Sequence, residues 1–149
     1  MRTVVLDTNV LLRPVHAEAP QHELCQGAVR ELLGRGCALA IVVQVAVEFW
    51  VVATRPAEVN GLGWSATIAR EKLDQILSGV TVLAEPNETL TTSMDMVTSV
   101  PVLGKRAHDA RLAATMRANG VGHLLTLNAG DFAGLPGIVA IHPSAADAV

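Results

Sequence analysis

Short apolar runs alternate with stretches of helical spacing along the whole chain. Uninterrupted runs rich in Val, Ile and Leu are typical of strands that are buried on both faces, as in a parallel sheet. We therefore predict a strand at each run. The runs cover residues 3–6, 38–43, 80–83, 123–127 and 138–141.

Helical patterns fill most of the segments between these strands. Pro56 stops the pattern that follows the second strand, and Ser65 and Asn87 are predicted N-caps of later helices. We predict a turn at residues 7–9 and a small polar tail after the last strand. The predicted helices cover residues 21–33, 44–54, 65–77, 87–97 and 108–118.

Alternation of strand and helix predicts an α/β fold, with three α/β/α layers around a central, mainly parallel sheet. The chain has 149 residues, which suits a single domain over residues 1–149. Apolar residues make up 50% of the sequence and aromatic residues only 3%, so the core must be mostly aliphatic. Trp50 and Trp64 are expected in that core or at a dimer interface.

Charge and cysteine content indicate in which surroundings the protein works. The net charge of −3 provides no general basic field for a nucleic acid, and Lys105, Arg106 and Arg111 are expected to form a solvated face. Cys25 and Cys37 match no metal-ligand pattern, which favours a reducing compartment. We predict a soluble, cytoplasmic protein that does not enter a membrane.

Four acidic residues stand at the starts or ends of predicted elements: Asp7, Glu48, Asp109 and Asp131. Side chains that follow parallel strands meet at one edge of the sheet, so these carboxylates are expected to converge. Carboxylates packed together repel one another, and a hard cation such as Mg²⁺ or Mn²⁺ relieves that repulsion. Taken singly, each acid could instead serve as a turn former, a helix cap or a solvent-facing side chain.

At these acids the sequence resembles the PIN-domain ribonuclease family, and in particular its VapC toxin branch. The first match is Val4-Val5-Leu6-Asp7-Thr8-Asn9, and the second is Gln44-Val45-Ala46-Val47-Glu48-Phe49. The others are His108-Asp109-Ala110-Arg111 and the closing Thr126-Leu127-Asn128-Ala129-Gly130-Asp131-Phe132. A departure precedes Glu48, where relatives often carry Ser or Thr with Pro and this chain has Val42-Val43-Gln44.

The resemblance implies a site and partners. It makes Asp7 and Asp109 the principal ligands of Mg²⁺ or Mn²⁺, with Glu48 and Asp131 completing the pocket directly or through water. It implies that the protein is an RNA-cleaving toxin, a homodimer, and bound by a cognate antitoxin protein. The implied supporting residues are Thr8, Asn9, Thr126 and Asn128.

Two other functions remain open from the sequence. The first is a catalytically silent PIN-like module that only binds a partner protein. The second is a magnesium-dependent phosphatase that would form an aspartyl-phosphate at Asp7, although Asn9 stands where such enzymes usually carry a second acid. His108 is expected to face solvent or to pack at a helix start rather than to take part in catalysis.

Overall fold

A five-stranded sheet forms the centre of the protein, and the computed structural model describes it together with all of residues 1–149. Its strands lie in the order β3-β2-β1-β4-β5, and every neighbouring pair is parallel. The predicted α/β class is therefore confirmed. The strands are β1 (Thr3–Leu6), β2 (Ala38–Val42), β3 (Thr81–Leu83), β4 (His123–Leu125) and β5 (Val139–Ile141).

Six α-helices flank this sheet and complete the predicted three-layer architecture. The Ser65 hydroxyl accepts a hydrogen bond from the Ile68 amide at 3.2 Å, which confirms Ser65 as an N-cap. The helices are α1 (Thr8–Val15), α2 (His22–Gly34), α3 (Val43–Thr54), α4 (Ala66–Leu77), α5 (Thr89–Ser99) and α6 (Ala107–Ala118). Shorter 3₁₀ helices cover Ala57–Val59, Gly104–Arg106, Ala129–Phe132 and Pro143–Ala148.

Three local predictions were wrong. Residues 8–15 form α1 rather than a simple turn, with Asp7 as its N-cap and Pro14 inside the helix. Helix α5 begins at Thr89 without a side-chain cap, so Asn87 does not cap it. The residues after β5 form a 3₁₀ helix that packs against α2, and Ala146 there is buried.

Aliphatic side chains dominate the core, as the composition predicts. Val4 and Val5 of the central strand have no solvent exposure, which agrees with a strand covered on both faces. Phe49 is fully buried and meets Trp64 edge to face, with ring centroids 6.4 Å apart. Trp50 also packs against the core. No helix has both the length and the apolar character that crossing a membrane requires.

Parallel pairing brings the carboxyl ends of β1, β2 and β4 to the same edge of the sheet. Asp7 follows β1 directly, and its backbone amide donates to the Leu125 carbonyl at the end of β4. Helix α3, which carries Glu48, starts immediately after β2. This edge of the sheet thus collects the polar residues that the sequence places after apolar strands.

Candidate functional site

Asp7 occupies the centre of the site and is held from several directions. Its Oδ1 accepts a hydrogen bond from the Thr8 amide at 2.8 Å, and its Oδ2 accepts one from the Thr126 hydroxyl at 2.7 Å. The Asn9 amide group lies 3.4 Å from the same Oδ2, at the long end for a hydrogen bond. Both carboxylate oxygens therefore have a donor, and the orientation of the side chain is fixed.

Thr126 and Asn9 tie the end of β1 to the segment that follows β4. Thr126 has no solvent exposure, and its hydroxyl oxygen accepts from the Asn128 backbone amide at 3.1 Å. The Asn9 Oδ1 accepts from the Leu127 backbone amide at 3.1 Å. Asn128 thus contributes a backbone group here, while its side chain makes no hydrogen bond to the cluster.

Glu48 lies on α3 with a donor on each carboxylate oxygen. Its Oε2 accepts from the Thr8 hydroxyl at 2.8 Å, and its Oε1 accepts from Gln44 Nε2 at 3.0 Å. The same Gln44 nitrogen donates to the His108 carbonyl on α6, also at 3.0 Å. Gln44 therefore joins the helix of Glu48 to the helix of Asp109.

The other two acids, Asp109 and Asp131, lack such support. Asp109 lies in the first turn of α6, and Asp131 lies in the 3₁₀ helix after β4. Neither carboxylate takes part in a side-chain hydrogen bond or a salt bridge. Arg106 approaches Asp131 but donates to its backbone carbonyl, at 2.7 Å.

The four acids lie close enough for their charges to influence one another. Burial raises the pKa of Asp7, and the negative charges of Glu48 and Asp131 raise it further, against the hydrogen bonds from Thr126 and Thr8. Burial, followed by the charges of Asp7 and Asp131, raises the pKa of Asp109 to about 6, and Glu48 adds to the effect. Arg106 acts in the opposite direction on Asp109.

The donor set fits a hard divalent cation. All four side chains offer oxygen atoms, and the carboxylates of Asp109 and Asp131 have no competing hydrogen-bond donor. Burial is the main cause of the raised pKa values of Asp7 and Asp109, and a cation would offset both that burial and the repulsion from neighbouring carboxylates. In this arrangement, however, no three His, Cys, Asp or Glu side chains are assembled closely enough to hold one ion together. An ion would have to draw the less supported acids inward or bind through water.

Gln44 is the site residue that its sequence environment did not reveal. Its side chain is half-buried, and its Oε1 is buried without a donor. The spacing of four residues to Glu48 on one helix is compatible with the contact, but the bond to His108 crosses 64 positions of sequence. The His108 side chain is exposed, as expected.

The fold and the site define a class of protein: a three-layer α/β domain with a carboxylate cluster at the carboxyl edge of a parallel sheet. The chain belongs to the PIN domain family, because the family model of that description matches residues 4–136. No curated protein sequence matches the chain.

Solved structures of VapC-type proteins share the fold. VapBC2 from Rickettsia felis, bound to a DNA fragment of its promoter, has 17% identity and a TM-score of 0.70, covering 94% of this chain and 98% of that chain. DNA-bound VapBC from Salmonella typhimurium has 17% identity and a TM-score of 0.69, covering 96% and 99%. The sarcin-ricin loop cleaving toxin VapC20 from Mycobacterium tuberculosis has 15% identity and a TM-score of 0.61, covering 81% and 86%.

Proposed function

We propose that this protein is a ribonuclease that hydrolyses RNA phosphodiester bonds with the help of Mg²⁺ or Mn²⁺. The observation that carries the proposal is the arrangement of Asp7 and Glu48, which share Thr8 as a donor, while Gln44 joins Glu48 to the helix of Asp109. Such a cluster of carboxylates, at the edge of a parallel sheet where ligands usually bind, is suited to holding a cation. Membership of the PIN domain family agrees with this chemistry.

Asp7 and Asp109 would be the principal ligands, with Glu48 and Asp131 completing the pocket directly or through water. When bound, the ion would lower the pKa of a water molecule and neutralise charge on the phosphate. The role of Asp7 is to hold the ion in a fixed place, because Thr126 and the Thr8 amide orient both of its oxygens. Asp109 must lose its proton before it can serve as a ligand, since its pKa lies near 6.

The hydrogen-bond donors around Glu48 hold its carboxylate in one orientation. Thr8 and Gln44 occupy one lone pair on each of its oxygens, and the remaining lone pairs can accept from water held at the ion. Glu48 is therefore suited to orient the attacking water. Thr8, Asn9 and Thr126 support Asp7 and Glu48, and Asn128 supports Thr126 through its backbone.

RNA is the proposed substrate despite the net charge of −3. The bound ion would make the pocket locally attractive to a phosphate, and Arg106 lies beside Asp131 at its rim. VapC20, which shares the fold, is described as a toxin that cleaves the sarcin-ricin loop. The identity of 15% leaves the RNA target of this chain to be found by experiment.

We further propose that the protein acts as the toxin of a toxin–antitoxin pair, as a cytoplasmic homodimer that a cognate antitoxin binds. Support comes from structures of similar fold, several of which are complexes of a toxin with its antitoxin.

The test is cleavage of a mixed RNA pool by the purified protein in Mg²⁺, Mn²⁺ or EDTA. Asp7→Asn is compared with the parent and with Asp74→Asn, which changes an exposed acid of α4 that pairs with Arg70 and is not part of the cluster. We expect cleavage by the parent and by Asp74→Asn only when a divalent ion is present, and none by Asp7→Asn. Cleavage that persists in EDTA or in Asp7→Asn would refute the proposal, and a parent without activity on any RNA would favour a silent interaction module.

A further inference from the structure

A groove opens between α5 and α6, at the carboxyl end of β3 and beside the carboxylate cluster. Its volume is about 400 Å³, within the range of roughly 300–1,000 Å³ that is usual for sites that enclose small molecules. We call it the α5–α6 groove. Residues on its walls include Glu85, Asn87, Thr89, Leu90, His108 and Arg111.

The groove continues directly from the proposed metal site. His108 precedes Asp109 on α6, and its carbonyl is tied through Gln44 to Glu48. Arg111, one turn further along α6, lies near enough to Glu48 for the two charges to interact. If one unit of a polymer is bound at the carboxylates, the next unit of that polymer can therefore lie in the groove.

One wall of the groove is planar and another is apolar. Arg111 donates to Glu85 through Nε at 2.6 Å and through a second nitrogen at 2.9 Å, a two-point pair that fixes the plane of the guanidinium. Leu90 is 69% exposed and Met94 is 47% exposed, so apolar surface faces the open groove. A fixed guanidinium plane and an apolar wall are the surfaces on which unpaired bases stack.

A polar side chain also lines the groove. The exposed Asn87 amide can both donate and accept, which suits the edge of a base.

We propose that the α5–α6 groove binds an unpaired base of single-stranded RNA, adjacent to the phosphate that lies at the carboxylate cluster. The proposal rests on the proposed ribonuclease function for the position of that phosphate. A base combines a flat face with donor and acceptor edges, which matches the planar, apolar and polar walls together. The centre of a protein interface is usually depleted of charged groups, whereas this groove holds the Arg111–Glu85 pair.

The first test measures RNA binding without cleavage. A labelled, mixed-sequence single-stranded RNA is titrated against Asp7→Asn and against the same protein with Asn87→Ala and Leu90→Ala added. Both added changes are at exposed positions, and Gln75→Ala on α4 is the matched control. We expect the added changes to weaken binding by roughly fivefold to 100-fold, because they remove the apolar contact of Leu90 and the hydrogen bonds of Asn87. Unchanged binding, or no RNA binding by Asp7→Asn, would overturn the proposal.

Mapping of cleavage positions separates this proposal from the ribonuclease function. With Asp7 intact, the Asn87→Ala and Leu90→Ala variant should still cleave the mixed pool in Mn²⁺, but with a weaker base preference next to the cut. Cleavage at identical positions with identical preference would contradict the groove assignment and leave the nuclease standing. A parent that binds RNA through the groove and never cleaves would contradict only the nuclease.

Discussion

The two halves of the carboxylate cluster are built differently. Asp7 and Glu48 have a hydrogen-bond donor on every carboxylate oxygen, supplied by the Thr8 amide and hydroxyl, by Thr126 and by Gln44. Asp109 and Asp131 have none, and the pKa of Asp109 reaches about 6. Donors that favour the ionised form offset part of the effect of burial on Asp7. In the proposed metal site, the supported half would fix where the ion binds, and the ion would relieve the repulsion among the carboxylates of both halves.

Substitution of Asp7, the central residue of the supported half, should have the largest effect on activity. Asp7→Asn should lower metal-dependent cleavage at least about 100-fold, because a direct ligand matters at least as much as the outer groups whose loss costs roughly 10–100-fold. Its fold should remain, since asparagine keeps the shape and an acceptor for the Thr8 amide. Initial rates on the mixed RNA pool and far-ultraviolet circular dichroism check both points. Near-parental rates would remove Asp7 from the site.

Thr126→Val tests whether the hydrogen bond from Thr126 to Asp7 contributes to activity. The change removes the hydroxyl that donates to Asp7 and accepts from the Asn128 amide, while keeping the side-chain volume. We expect cleavage to fall by roughly 10–100-fold and the unfolding free energy to fall by about 1–3 kcal/mol. Thr54→Val is the control, because that hydroxyl bonds a backbone carbonyl within α3. Equal losses in the two variants would show that the Thr126 contact has no special role in activity.

Gln44→Met tests the link between the two halves with a smaller expected effect. The cleavage rate should drop toward the low end of the roughly 10–100-fold range, because Glu48 keeps its second donor, Thr8. The melting temperature should change little, since the substitution also removes the unpaired Oε1. Gln75→Met on the exposed face of α4 is the matched control. A rate equal to that of the control would mean that the bridge to His108 is dispensable.

The smallest effect, on stability, concerns the unsupported half. Because the folded protein raises the pKa of Asp109 from 3.8 to about 6, the folded state binds more protons than the unfolded state in that interval. Stability from this group is therefore present below pH 4 and is lost as pH rises toward 6. In EDTA, Asp109→Asn should melt close to the parent near pH 4 and a few degrees higher near pH 7. A difference in melting temperature that stays constant over this range would contradict the assignment.

Sequence and structure agree best where burial is complete. Residues 3–6 and 38–42 form strands as predicted, because a strand covered on both faces must be apolar throughout. Helix α1 was missed because it has only eight residues and Pro14, a helix breaker in most contexts, lies inside it. Local patterns identify elements well when the signal extends over many residues, and short helices lack that length.

At the site, contacts between residues far apart in sequence could not be predicted. Asp7 can be inferred from its place after a strand, and Asp109 and Asp131 from the family resemblance. The bond between Thr126 and Asp7 spans 119 positions, and the contact of Gln44 with His108 spans 64. No local pattern encodes such contacts, because they depend on how strands β1 and β4 and helices α3 and α6 pack.

Calorimetric titration with Mn²⁺ near pH 7 tests the central claim most directly, namely that the cluster of Asp7, Glu48, Asp109 and Asp131 holds a divalent cation. We predict that the parent and Asp74→Asn bind Mn²⁺ with equal affinity, and that Asp7→Asn binds at least about tenfold more weakly. A parent that binds no Mn²⁺, or an Asp7→Asn variant that binds it as tightly as the parent, would contradict the account.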